Sequence, residues 1–166
     1  VTTDLKRVWK IDAQGNKAVL ADEKAFPRPL SYLNDTAAAP DGQGVFVTDM
    51  GARDKIMGRD GLWPLDSTEA KTLPAIGRIY HISLDGRARL VLDAAPEMAC
   101  PNGVCAPAMD RLLIAEFFRG NLLETRNGKL SILNTGFRGA DGIECAKTGE
   151  IFVSSWTQGK VWRLDS

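Results

Sequence analysis

Three polar residues recur at matching places in the chain and could hold a metal together. Asn34, Asn102 and Asp141 each precede small or apolar residues, then a turn, then an apolar run. Two amide carbonyls and one carboxylate are hard oxygen donors, which suit calcium better than zinc or copper. Each residue alone is typical of a turn. Their repetition in register predicts a shared divalent-metal site, with Ca²⁺ favoured and Zn²⁺ or Mn²⁺ as alternatives.

The segments around these residues indicate β-strands that bring them together. Apolar and polar residues alternate between glycine-containing turns, as in 160–164, which is typical of antiparallel strands with one buried face. Asn102 and Asp141 are 39 residues apart, and Asn34 and Asn102 are 68 apart. A repeat of about 40 residues with several strands per unit predicts β-propeller blades. The chain is therefore predicted to be one all-β domain over residues 1–166.

An irregular insertion at about residues 50–76 interrupts this pattern and accounts for the longer first interval. It has no sustained hydrophobic period and contains several glycines and prolines. Long irregular loops in compact β-proteins are often functional. Trp63 is therefore a candidate lid residue that binds substrate. The alternative is a surface excursion in which Trp63 and Leu65 pack on a blade.

Composition excludes several functional classes. Lys+Arg and Asp+Glu both number 21, so charge gives no reason to expect nucleic acid or an anionic membrane as partner. No apolar run approaches the roughly 20 residues of a membrane span. The single histidine, His81, leaves little material for a Ser-His-Asp triad or a histidine metal centre. A soluble protein, cytoplasmic or periplasmic, is expected.

The three cysteines leave two interpretations open. Cys100, Cys105 and Cys145 lack the CxxC spacing of zinc sites. They are either buried thiols on strands or include one disulfide. The disulfide would be Cys100–Cys105 or Cys105–Cys145.

Three short motifs resemble successive motifs of the gluconolactonase/regucalcin (senescence marker protein) family. They are Asn34-Asp35-Thr36 with Pro40-Asp41-Gly42, then Pro101-Asn102-Gly103-Val104, then Ala140-Asp141-Gly142-Ile143. The resemblance covers nearly the whole chain outside the insertion. It implies a six-bladed propeller, of which this chain makes up about half.

The resemblance also implies roles for individual residues. Asn102 and Asp141 match family residues that bind the catalytic divalent metal, and Asp141 also matches the proposed general base. Asn34 matches a residue beside the metal and substrate, with a catalytic and substrate-binding role. The implied function is metal-dependent hydrolysis of a small lactone or ester, with the metal as Lewis acid.

Two departures from the family pattern bear on this function. The family's first metal ligand is a glutamate in an EGP-like motif, and no such motif precedes Asn34; Glu23 is a poor substitute. The family commonly has an arginine two residues before the asparagine, and Tyr32 occupies that position as a substrate-binding candidate. This weakens the expectation of phosphate-like or sugar-acid substrates.

The ligand-bearing repeats account for about three blades, whereas closed propellers have four to eight. The missing blades are expected from the rest of a longer protein or from a second chain, because open sheet edges promote aggregation. Two functions without catalysis stay open beside the hydrolase. One is a calcium-binding or ligand-binding propeller, and the other is an interaction scaffold in which the asparagines are structural.

Overall fold

The computed structural model describes residues 1–51, 57–58, 61–62 and 64–165. Its strands form four antiparallel blade sheets in chain order and one small ribbon. The first two sheets are β1 (Thr2–Asp4), β2 (Arg7–Ile11) and β3 (Lys17–Ala21), followed by β4 (Leu33–Ala38), β5 (Gly44–Asp49), β8 (Arg78–Ser83) and β9 (Ala88–Leu92). The next two are β10 (Pro101–Ala108), β11 (Arg111–Glu116), β12 (Asn121–Arg126) and β13 (Lys129–Thr135), followed by β14 (Ala140–Cys145), β15 (Ile151–Ser155) and β16 (Lys160–Leu164).

This architecture confirms the predicted all-β fold. Within each sheet, strands that follow one another in the sheet are hydrogen-bonded antiparallel neighbours. The first strands of the last three sheets, β4, β10 and β14, pack beside one another. They therefore form the inner side of a partial ring, with the other strands of each sheet lying progressively further out.

The core lies in the layers between successive sheets. On β5, Val45 and Val47 face the first sheet, whereas Phe46 faces the third. The central strands of the middle sheets are therefore buried on both faces, which explains their continuous apolar runs. The last layer packs Leu113 and Leu122 of the third sheet against Val153 of the fourth. Each layer is a separate apolar cluster, as expected for sheets that contact only their neighbours.

The insertion between β5 and β8 contains the ribbon of β6 (Met57–Gly58) and β7 (Gly61–Leu62), and one short helix, Thr68–Lys71. Ser67 caps this helix, because its side chain accepts a hydrogen bond from the Ala70 N–H at 3.1 Å. Ala70 and Leu73 then pack with Phe117 and Phe118 in a cluster at one end of the sheets. Trp63, the predicted lid residue, lies outside the described residues.

A three-stranded sheet precedes the three ligand-bearing repeats. Residues 2–21 form a sheet of their own, so fourteen strands lie in four blade sheets, compared with about twelve in half of a six-bladed propeller. This first sheet carries none of the three repeated polar residues. Its strand β1 packs on β4 as the second strands β5 and β11 pack on β10 and β14. The innermost strand of the first sheet, β1, therefore occupies the position that second strands occupy in the other sheets.

The structure contains one of the two disulfides that the sequence left open. Cys105 on β10 and Cys145 on β14 form a disulfide with Cα atoms 6.0 Å apart, whereas Cys100 is a buried free thiol. The bond joins the inner strands of adjacent sheets.

Among the described residues, no helix is long and apolar enough to cross a membrane.

Candidate functional site

Each inner strand carries a bulge at the residue singled out by the repeats. The pairing register shifts between Leu33 and Thr36 in β4, between Pro101 and Val104 in β10, and between Ala140 and Ile143 in β14. A bulge redirects side chains and is common beside active sites. The bulges therefore place Asn34, Asn102 and Asp141 at equivalent positions, at the start of three neighbouring strands.

Asn102 and Asp141 are in direct contact. The Asn102 Nδ2 donates a hydrogen bond to the Asp141 Oδ1 at 2.8 Å, and Asn102 is only 5% exposed. Gly103 makes this contact possible, because a Cβ there would lie 2.4 Å from the Asp141 carbonyl oxygen. The asparagine of one blade and the aspartate of the next thus meet between their inner strands.

Asn34 makes different contacts. Its Nδ2 donates to the Sδ of Met50, and its backbone carbonyl accepts a hydrogen bond from the Thr3 hydroxyl. Within the described part of the chain, it makes no hydrogen bond to Asn102 or Asp141. The structure therefore brings together two of the three predicted residues directly and the third through its neighbours.

Asp35 and Thr48 connect the bulge of β4 to that of β10. The Asp35 Oδ2 accepts a hydrogen bond from the Val104 N–H at 3.0 Å. The buried Thr48 hydroxyl accepts from the Asp35 N–H at 2.9 Å and donates to the Asn102 carbonyl at 2.8 Å. With the Asn102–Asp141 bond, these contacts form a polar line across all three inner strands.

Several carboxylates lie close to one another along this polar line. Burial raises the pKa of Asp35, and the negative charges of Glu144 and Asp141 raise it further. Asp35 and Glu144 also line an open cavity of about 570 Å³ along the inner strands. A cation at this end of the ring would relieve the repulsion between these groups.

A second set of polar residues fixes the entry to each inner strand. Asp49, Glu116 and Ser155 end the second strands β5, β11 and β15, and all three are buried. Asp49 accepts a hydrogen bond from the Tyr32 N–H at 2.8 Å, and Glu116 accepts one from the Cys100 N–H at 2.7 Å. Both donors lie two residues before a predicted site residue. Asp49 and Glu116 are therefore positioning residues for Asn34 and Asn102.

Sequence reasoning missed this second set, although a signal was present. Asp49, Glu116 and Ser155 follow the three site residues by 15, 14 and 14 residues. A polar residue at the end of an otherwise apolar run recurs at nearly the same offset. Aligning the three repeats over their second strands would have revealed it.

Burial raises the pKa of Glu116 to about 7, against an ordinary value of 4.5. A carboxyl with a raised pKa favours the folded state below pH 4.5, and this contribution is lost as pH rises to about 7. For the wild-type side chain, the unfolding free energy should fall by about 3 kcal/mol between pH 4.5 and about 7. We expect Glu116→Gln to remove this decline. Denaturant titrations at several pH values measure the slope. A slope unchanged by the substitution would show that Glu116 titrates as an ordinary carboxyl.

The donor set at the Asn102–Asp141 pair fits a hard cation only in part. Carboxylate and amide oxygens suit calcium, which takes six to eight oxygen ligands. Among the described residues, however, no group of three or more His, Cys, Asp or Glu side chains could hold a metal ion. Glu23 instead forms an ion pair with the Lys6 Nζ at 3.0 Å. Two protein donors leave most of a calcium coordination shell to water, substrate or further chain.

Tyr32 occupies the same end of the sheets as the predicted site. It is partly buried and packs against the cluster that contains Met50 and Phe117. Its backbone is fixed on both sides, by the hydrogen bond to Asp49 and by one from the Met50 N–H to its carbonyl at 2.9 Å. Its role in substrate binding stays a prediction.

Comparison with protein-family models and with curated proteins gives no match. Comparison with solved structures gives many. A nidogen/laminin complex matches with a TM-score of 0.70 and 16% identity, covering 99% of this chain and 53% of that one. A calcium-binding regucalcin from Agrobacterium tumefaciens matches with 0.66 and 21% identity, covering 99% and 52%. A putative gluconolactonase matches with 0.57 and 17% identity, covering 92% and 51%.

The chain thus spans about half the length of the solved structures that it matches. At these identities the likeness concerns the fold. The matching structures include a regucalcin and a putative gluconolactonase, the two kinds of protein whose motifs the sequence resembles. Their coverage agrees with a partial ring of four sheets. The chain is a partial β-propeller of the six-bladed type, with the fold of gluconolactonase-like and regucalcin-like proteins.

Proposed function

We propose that this chain carries part of the active site of a metal-dependent lactone or ester hydrolase of the gluconolactonase-like type. The observation that supports the proposal most is the hydrogen bond of 2.8 Å between Asn102 and Asp141. It joins the two residues that the motif resemblance assigns to the metal, although they lie in different blades.

Asn102 and Asp141 would hold the divalent ion, which when bound supplies Lewis-acid polarisation of the substrate carbonyl. Asp141 has a second oxygen that can accept a proton from the attacking water, as a general base. Asn102 fixes the orientation of the Asp141 carboxylate through their hydrogen bond. Asn34, in the equivalent position on the adjacent strand, would hold the substrate through its amide.

We expect hydrolysis of small lactones or esters to require an added divalent metal and to stop with a chelator. The assay is a panel of five- and six-membered lactones and aryl esters with Ca²⁺, Mn²⁺ or Zn²⁺, each with a chelator control. Absence of turnover with every metal, or turnover that the chelator does not affect, would contradict the hydrolase proposal.

The non-catalytic calcium-binding propeller has one specific observation in its favour. Asp141 is the only carboxylate in direct contact with Asn102 among the described residues, so one side chain would have to act as both metal ligand and general base, which calcium binding alone does not require. Calorimetry that shows calcium binding without hydrolysis would support this function. Absence of both would support the interaction scaffold.

We propose that the blades needed to complete the propeller belong to the same protein rather than to a second copy of this chain. Two copies would bring twice fourteen blade strands, which exceeds the roughly twenty-four strands of six four-stranded blades. The outer face of the last sheet is uncovered, with Phe152 37% and Val161 69% exposed. An incoming blade would bury these side chains, as Leu113 and Leu122 are buried between the third and fourth sheets.

A further inference from the structure

Two adjoining cavities lie at the end of the sheets where the inner strands begin. Their volumes are about 470 and 620 Å³, and both are lined by Leu65 of the insertion and by Arg138. The lining side chains include Leu65, Phe117, Phe118, Arg119, Arg138 and Trp156, and the second cavity is also lined by the charged residues Asp66 and Lys71. The pair of cavities is hereafter called the mouth cleft.

The mouth cleft is close to the candidate metal residues along the chain and in the sheet. Arg138 precedes Asp141 by three residues. The N–H of Trp156 donates to the Gly139 carbonyl at 3.1 Å, and Ala140 pairs with Ser155. Arg138 and Trp156 therefore flank the first residues of β14, the strand that carries Asp141.

Arg138 has a fixed backbone and an available charge. Its carbonyl accepts hydrogen bonds from the Ser155 hydroxyl at 2.7 Å and the Gln158 Nε2 at 3.0 Å. Its side chain is exposed and, among the described residues, makes no ion pair or hydrogen bond. Arg119, on the other side of the cleft, is anchored by a bond from its Nε to the Pro96 carbonyl at 3.1 Å. A guanidinium without a partner favours a planar oxyanion such as a carboxylate.

Trp156 provides an apolar wall beside this charge. It is 65% exposed, and its ring lies 6.3 Å from that of Phe117 at an angle of 35°. Phe117 itself is buried, so the exposed aromatic surface next to Arg138 is the Trp156 ring, which packs against Phe117. An aromatic side chain that lines a cavity together with a charged group is typical of a ligand site.

We propose that the mouth cleft binds a carboxylate attached to an apolar or aromatic body, with Arg138 contacting the carboxylate and Trp156 the apolar part. This deepens the proposed hydrolase function, on which its meaning as a substrate subsite rests. An acidic substrate would then be recognised by an arginine of the last blade. Tyr32, at the position where the family commonly has arginine, is then not needed for charge recognition.

The test measures ligand binding without metal, so that it does not depend on hydrolysis. The probes are 2-naphthoate and its neutral counterpart 2-naphthamide, titrated by calorimetry in the presence of a chelator. Loss of a charge-assisted hydrogen bond should weaken naphthoate binding by about tenfold to a hundredfold in Arg138→Ala, with naphthamide binding unchanged. Trp156→Ala should weaken both ligands.

Arg163→Ala is the matched control, because Arg163 is an exposed arginine of β16, in the sheet that follows Arg138, and lies outside the cleft. It should leave both affinities unchanged. The proposal is overturned if wild-type protein does not prefer naphthoate to naphthamide, or if Arg138→Ala binds naphthoate as wild type does. It is overturned equally if Arg163→Ala shows the same loss. Naphthoate binding without lactone hydrolysis would contradict the hydrolase function and leave the carboxylate site established.

Discussion

Replacement of Asp141 by asparagine is expected to lower kcat/KM for the hydrolysed lactone by about a thousandfold, because one carboxylate is both metal ligand and general base in the proposed mechanism. Asparagine keeps the side-chain shape and can still bond to Asn102, so the fold should survive. Asn102→Ala and Asn34→Ala should have smaller effects on metal affinity, because neither removes a negative charge. Steady-state kinetics and metal calorimetry on the three variants measure this order.

Glu150→Gln is the control for the loss of one carboxylate from the same hairpin. Glu150 lies at the opposite end of that hairpin, where its carbonyl accepts a hydrogen bond from the Ala146 N–H at 2.9 Å. Its substitution should leave kcat/KM unchanged. Equal activity of Asp141→Asn and wild type, with the circular dichroism spectra superimposable, would remove Asp141 from the mechanism.

The second large effect concerns stability. The Cys105–Cys145 disulfide closes a loop with a sequence separation of 40 residues. In the chain-entropy treatment, such a loop stabilises the folded state by about 4 kcal/mol. We therefore expect the double variant Cys105→Ser, Cys145→Ser to unfold at clearly lower denaturant concentration than the oxidised wild type.

Reductant provides the control for this comparison. It should lower the denaturation midpoint of wild type and leave that of the double variant unchanged. Titration of thiols in the unfolded, unreduced protein should give one per chain, from Cys100. Three thiols per chain would contradict the disulfide. A disulfide that persists in the cell would favour the periplasmic over the cytoplasmic alternative.

Local sequence patterns predicted the fold well because propeller blades are local structures. Alternating strands and glycine turns fix each hairpin, and hairpins contact mainly their neighbours. The repeat predicted a metal site shared by Asn102 and Asp141, and the structure places these two side chains in contact because equivalent positions of adjacent blades lie side by side. Their contact depends on Gly103, whose lack of a Cβ was not used in that prediction.

Other features could not be predicted because they depend on packing between distant segments. The buried state of Glu116, which raises its pKa, results from its place beneath the loop that contains Cys100. The pairing of Cys105 with Cys145 rather than with Cys100 required the register of two inner strands. The role proposed for Arg138 depends on the cleft that the insertion and the Trp156 turn form around it.

The most direct test of the central claim is to locate the metal by manganese titration of isotopically labelled protein. Mn²⁺ broadens the nuclear magnetic resonance signals of nearby amides. We predict that the amides of Asn102, Gly103, Asp141 and Gly142 broaden first, and that excess Ca²⁺ restores them. Broadening confined to exposed acidic residues such as Asp22 and Glu23, or none at millimolar Mn²⁺, would contradict a metal site at the Asn102–Asp141 pair.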